Sequence, residues 1–187
     1  FDPCYQTVLD VQGVSSGFDI AAAIYGGIVY FYTGGKTIEQ LEVDNIPLII
    51  GYSGVKADTV SIVNSVKEKM ETHREGVLEI FKNISNLVEE AKIALLEKDW
   101  ARLGTIMNFN QDYLEDLGVS TEKLDDMIIA ARKAGAYGAK LSGAGGGDCM
   151  IALVDEEKRN DVIDAITNAG GQVLDVKMEH EGVRVEG

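Results

Sequence analysis

The residues best suited to chemistry lie in KLSGAGGGDC, Lys140 to Cys149. From Gly143 to Gly147 every residue is glycine except Ala144, so backbone N–H groups stand bare and an anion can approach them closely. The apolar run Met150-Ile151-Ala152-Leu153-Val154 follows at once, which bounds the loop by structure and argues against a flexible linker. A plain glycine turn between two strands is the alternative. Asp19, two residues beyond Gly17 in an otherwise apolar stretch, reads locally as a helix-capping carboxylate. Lys56, after a Ser-Gly turn, reads locally as a solvated lysine. Asn110 lies on an apolar helix face, where an amide needs hydrogen-bond partners, and a satisfied core amide is the simplest account of it. His73 and His180 stand in charged surroundings with no metal-type spacing and no adjacent nucleophile, so neither is given a role.

These residues need elements to position them. GFDIAAAIY at 17–25 is a small-residue helix stopped by Gly26-Gly27, with Ser15 and Ser16 available as caps. Strands are expected at 28–32, at 36–43 and, after Pro47, at 48–53. From Lys56 the apolar period changes from 2 to 3.6. Val60, Val63 and Val66 predict one helix; Ile80, Ile84, Leu87, Ala91 and Leu95 predict a longer one. Asp99 is expected to cap a third helix, with Leu103, Met107, Asn110, Leu114 and Leu117 on its face, and Ser120 a fourth, ended by Gly135. The last third reads strand 138–142, glycine loop, strand 149–154, helix 156–169 and strand 172–178. Helices grouped ahead of a small sheet make this an α+β pattern.

Composition bounds the function. The 187 residues are 45% hydrophobic, enough for a sizeable core, and no run approaches the ~18 apolar residues of a membrane span. A net charge of −14, from 17 basic and 31 acidic residues, repels nucleic acid and anionic membranes. A pocket of N–H donors still accommodates a small anion, because salt screens the distant surface field. Cys4 and Cys149 are too few for a disulfide framework and lack zinc-ligand spacing, which makes a reducing cytoplasm the expected compartment. The chain begins at Phe1, in mid-pattern, and reads as a fragment.

KLSGAGGGDC with its apolar strand resembles the third signature motif of the GHMP kinases, the family of galacto-, homoserine, mevalonate and phosphomevalonate kinases. VQGVSSGFDIAAAIYGG, residues 11–27, resembles the family segment in which a Gly/Ser turn leads to the catalytic aspartate. GYSGVKADTVSIVNSV, residues 51–66, is similar to the strand-to-helix turn that helps hold the acceptor. NFNQDYLEDLGVST, residues 108–121, resembles the helix-turn segment before the last helical hairpin. The four matches occur in the family's order and span most of the chain.

The resemblance implies an α+β fold: residues 1–45 as the tail of a ribosomal-protein-S5-like N-terminal domain, residues 46–187 as a ferredoxin-like C-terminal domain with added helices. It implies Asp19 as the carboxylate that activates the acceptor hydroxyl. Ser142, Gly143, Ala144, Gly145 and Gly146 become phosphate contacts, and Ser53, Lys56 and Thr59 acceptor contacts. ATP and Mg2+ are implied as cofactors, with no metal ligand in this chain, because the family's main ATP loop, magnesium glutamate and catalytic lysine belong to an N-terminal part not found in this sequence. This fragment is therefore expected to be inactive alone. The acceptor implied first is mevalonate, as in mevalonate kinases of the archaeal kind. Gly17-Phe18-Asp19 and the GGGDC ending, Gly145 to Cys149, lean instead to 5-phosphomevalonate, and Asp148 stands where the mevalonate-kinase pattern commonly has glycine. A non-catalytic binding module, or half of a split kinase, is the reading from another class. A homodimer is a further expectation; nucleic acid and membrane are not expected partners.

Overall fold

Pro3 near its start and a left-handed Gly13 after its end bound a first helix, α1 (Asp2–Gln12), that the apolar spacing does not reveal. The computed structural model describes residues 1–43, 45–178 and 180–186, which group into two compact units. The first comprises Phe1–Ile46 and the tail from Lys177; the second comprises Pro47–Val176.

In the first unit α1 buries none of its residues, so no core-facing stripe was there to be read. Its work lies at one end. The stacked rings of Phe1 and Tyr5, 5.3 Å apart, cover Gly17, where a Cβ would stand 2.9 Å from the Phe1 ring. Tyr5 donates to the Ser15 carbonyl at 3.0 Å, and the Ser15 hydroxyl accepts from the Gly17 N–H at 3.1 Å. Gly17, at φ +87°, then turns the chain into α2 (Phe18–Tyr25). A ribbon of β1 (Ile28–Phe31) and β2 (Ile38–Leu41) follows, antiparallel, with Ile28 opposite Leu41.

The second unit opens with β3 (Leu48–Tyr52). Four helices come next: α3 (Thr59–Thr72), α4 (Arg74–Leu96), α5 (Trp100–Leu117) and α6 (Glu122–Lys133). Then β4 (Gly138–Ser142), β5 (Cys149–Leu153), α7 (Arg159–Asn168) and β6 (Gln172–Leu174) complete it. The sheet order is β4-β5-β3-β6 with every pair antiparallel. That is the ferredoxin-like order, with four helices rather than one in the first crossover. Ile49, Leu124, Met127, Ile128, Leu141, Met150 and Ile166 lose nearly all solvent contact between sheet and helices. Each such side chain contributes about 1.5–3 kcal/mol of transfer free energy.

Three local expectations change. The cap of α6 is Thr121, whose hydroxyl accepts from the Leu124 N–H; the Ser120 hydroxyl instead donates to Asp125. The last strand stops at Leu174 rather than 178, and α7 starts at Arg159 rather than 156. The Asp99 cap is as expected, accepting from the Arg102 N–H at 3.0 Å.

The outer edge of β4, which leads into the glycine loop, is closed by side chains. Asn108 donates to the Tyr137 carbonyl at 3.3 Å and accepts from the Ala139 N–H at 3.1 Å. Gln111 accepts from the Leu141 N–H at 2.9 Å, Arg132 donates to the Ala139 carbonyl at 2.8 Å, and Lys140 donates to the Leu141 carbonyl. Gly104 and Gly138 let α5 lie directly on this strand; a Cβ on Gly138 would stand 2.0 Å from the Gly104 carbonyl oxygen. Amides on α5 thereby satisfy an edge that would otherwise leave buried polar groups unpaired.

Candidate functional site

The hairpin between β4 and β5 is built from backbone conformations that L side chains avoid. Gly143, Gly145, Gly146 and Gly147 have φ of +86°, +87°, +76° and +148°. Three of the four are also pressed by neighbours: a Cβ would meet the Val119 carbonyl oxygen at Gly145, the Ile62 side chain at Gly146 and the Val55 carbonyl oxygen at Gly147. Gly143 differs, since nothing lies within 4 Å of where its Cβ would be. The loop is thus seated on one side and open on the other.

That asymmetry sorts the N–H donors. Gly146 donates to the Val119 carbonyl at 2.8 Å, so its N–H faces the protein. Among the described residues the N–H groups of Gly143 and Ala144 donate to no backbone acceptor, and Gly143 is exposed at the open end. Ser142 closes β4, half-buried, opposite Cys149. Burial, and secondarily the Asp148 carboxylate, push the Cys149 thiol above its ordinary range, which keeps it from being a thiolate nucleophile. On its other flank Ala144 borders an apolar cleft of about 320 Å3 formed with Ile62, Val66, Met70, Phe81 and Leu117.

The turn carrying Ser53, Lys56 and Thr59 meets this loop. Ser53 is buried at 4% exposure, and its hydroxyl is engaged with Val55, donating to the carbonyl at 3.2 Å and accepting from the N–H at 3.3 Å. Lys56 and Thr59 are exposed. Thr59 opens α3, whose first turn is capped by Asp58 accepting from the Ser61 N–H. Asp148 joins turn and loop. Its carbonyl accepts from the Ser53 N–H at 2.8 Å, its N–H donates to the Val55 carbonyl at 2.7 Å, and its carboxylate accepts from the Ala57 N–H at 3.3 Å. A site thus takes shape from two segments that are far apart in sequence.

Asp19 belongs to the other unit. It occupies the first turn of α2, exposed; the cap position is Gly17 and no side chain caps the helix. The local capping reading of Asp19 is therefore overturned, and the carboxylate is available for other work. Asn110 borders a small cleft with Lys140, while the amides that satisfy the core strand are Asn108 and Gln111. Both are in the NFNQ run, but periodicity points at apolar faces and cannot tell which amide meets a strand edge. Lys140 was equally hidden: desolvation pulls its amine from 10.5 to about 8. Among the described residues no cluster of His, Cys, Asp and Glu could hold a metal ion, and no helix is long and apolar enough to cross a membrane.

Comparison with known proteins places these features in a family. Residues 91–172 match the family model described as GHMP kinases C terminal. The chain is 41% identical over 187 residues to the mevalonate kinase of Thermococcus sibiricus and 40% identical to that of Pyrococcus furiosus, covering 97% of this chain and 55% of each relative. It therefore spans about half the length of the curated relatives it matches. A crystal structure of L. major mevalonate kinase in complex with R-mevalonate superposes with a TM-score of 0.77 at 30% identity, over 83% of this chain and 49% of that one. The seated glycine loop, the ferredoxin-like sheet and these similarities agree: the chain carries a GHMP kinase C-terminal domain.

Proposed function

We propose that the complete protein transfers the γ-phosphate of ATP to the 5-hydroxyl of mevalonate. The observation that carries this reading is the glycine loop, open at Gly143 and Ala144 and held against the 53–59 turn, in a chain about 40% identical to mevalonate kinases. In this reading Gly143, Ala144 and Gly145 offer backbone contacts to phosphate, with Ser142 beside them. Gly146 supports the loop from below, because its N–H is already taken. Lys56 and Thr59 face the acceptor, and Ser53 shapes their turn.

Asp19 accepts the proton of the acceptor hydroxyl, or holds it oriented, as the oxygen attacks phosphorus and the bond to the ADP leaving group breaks. Phosphoryl transfer rests on positioning and charge stabilisation, so one well-placed carboxylate suffices. Nothing lies within 4 Å of where a Cβ would stand at Gly143, so a phosphate oxygen has room to approach its backbone. Mg2+ would neutralise the charge on the phosphates, and among the described residues no cluster of His, Cys, Asp and Glu could hold it. A cytoplasmic enzyme, completed by the rest of the kinase and forming a homodimer, is part of the same proposal, as is the division near residue 46 into parts of two domains.

The runner-up acceptor is 5-phosphomevalonate, favoured by Asp148 where glycine is common. Against it, Lys56 is the only basic residue on the 53–59 turn, which is little charge for a second phosphate. A coupled ADP-release assay on the complete protein, with the two acceptors side by side, decides the matter. Mevalonate-dependent release is expected, and Asp19→Asn should lower kcat by about 100-fold or more while ATP binding holds. Release only with the phosphorylated acceptor would replace the proposal, and release with neither would favour a binding module.

A further inference from the structure

Asp148 is one of two described non-glycine residues with positive φ, at +55°. A left-handed residue in a loop already rich in glycine is an oddity, since glycine would adopt the conformation without strain. Aspartate is tolerated there better than most residues, and its side chain brings a bond that glycine lacks. The main-chain bonds to Ser53 and Val55 would survive replacement by glycine; the carboxylate bond to the Ala57 N–H would not. Ala57 precedes Asp58, the cap of α3, so the extra bond acts on the short connection between Lys56 and the start of the helix. On its neighbour, Gly147, the backbone approaches so closely that a Cβ would stand 2.7 Å from the Val55 carbonyl oxygen. Loop and turn are therefore packed as well as hydrogen-bonded.

We propose that Asp148 is a positioning residue that locks the 53–57 turn to the glycine loop, so that acceptor contacts and phosphate contacts are presented as one rigid piece. The inference rests on the kinase reading above for its effect on catalysis, but not for the lock itself. The lock works through two properties, a left-handed backbone and a side-chain acceptor at the right reach. Asparagine has both, glycine has the first alone, and alanine has neither.

The test uses the complete protein with Asp148→Gly and Asp148→Asn, the first of which removes the bond without straining the backbone. Amide hydrogen exchange at Ala57 should accelerate about tenfold in the glycine variant and stay within about twofold of the parent in the asparagine variant. In the acceptor assay the glycine variant should raise KM for the acceptor about five- to tenfold with a smaller loss in kcat, and asparagine should restore it. Unchanged exchange at Ala57 in the glycine variant would overturn the lock, as would an asparagine variant no better than glycine. Should the parent phosphorylate neither acceptor, the exchange data still judge the lock, and the failure then belongs to the proposed reaction.

Discussion

Lys140 carries its amine toward a narrow cleft of about 100 Å3 walled by Leu87, Ala91, Ile106 and Met107, with Asn110 at its side. Hydrocarbon surroundings disfavour the ammonium, and desolvation alone accounts for the fall from 10.5 to about 8. The amine keeps one partner, the Leu141 carbonyl, on the strand that feeds the glycine loop. A lowered amine pKa has a definite sign in stability. Between about pH 8 and 10.5 the unfolded chain holds the proton and the folded chain has released it, so stability contributed by this residue rises with pH across that window. Below pH 8 both states are protonated and the full cost of burying the charge is present. That cost is at most about 3 kcal/mol, and less where solvent reaches the half-buried side chain. Urea unfolding of the parent and of Lys140→Met should therefore diverge in the parent's favour as pH climbs from 7.5 to 10. A difference between the two that does not change with pH would mean the amine is hydrated. The sequence shows Lys140 only as the first residue of the glycine-loop motif. Its environment comes from residues of α4 and α5 that lie thirty or more positions away, which is why no local pattern announces it.

At the scale of elements, the segments that were legible in sequence are those whose own apolar period buries a face. The helix predicted from Ile80, Ile84, Leu87, Ala91 and Leu95 is α4, and Met150 to Leu153 is the buried strand β5. What stayed hidden was how β4 is finished. Its outer edge is satisfied by Asn108, Gln111, Arg132 and Lys140, drawn from two helices and the strand itself. Gln111 is the keystone: fully buried, it accepts from the Leu141 N–H and donates to Ser120, Glu115 and Asp125. An isosteric apolar replacement fills the volume yet orphans the Leu141 N–H inside the protein. Gln111→Leu should accordingly cost about 1–3 kcal/mol, read as a lower urea midpoint with an unchanged m-value. Gln111→Glu keeps an acceptor for Leu141 but turns a donor toward carboxylates into a like charge, and should be at least as costly. A leucine variant as stable as the parent would mean that water, not the amide, serves the strand edge. Burial of Arg132 lowers its guanidinium from its ordinary range, opposed by the charges of Asp112, Glu115 and Asp125.

At the scale of the whole molecule, apolar burial is unevenly shared. Among the described residues, Ala21 and Val43 are the buried apolar residues of the first unit, whereas the second holds a continuous core from Ile49 to Ile166. Val11, Phe18, Tyr25 and Tyr32 stay exposed in the first unit, and its sheet is a two-stranded ribbon, an arrangement that is marginal alone in water. Asp19 stands on a helix of that less consolidated unit, while the glycine loop belongs to the other. The two parts of the proposed chemistry thus rest on scaffolds of unequal stability. In this 187-residue chain, amides of α2, β1 and β2 should exchange at least on the order of 100-fold faster than those in the middle of β3 and β5, through local opening that leaves the second unit folded. The chain spans about half the length of its relatives, and in the complete protein the remaining residues are proposed to cover the exposed apolar side chains of the first unit. Exchange in α2 should then slow toward that of β5, while β5 itself changes little. Equal protection of both units in the 187-residue chain would refute the local opening, and would mean that Asp19 needs no further cover to be held in place.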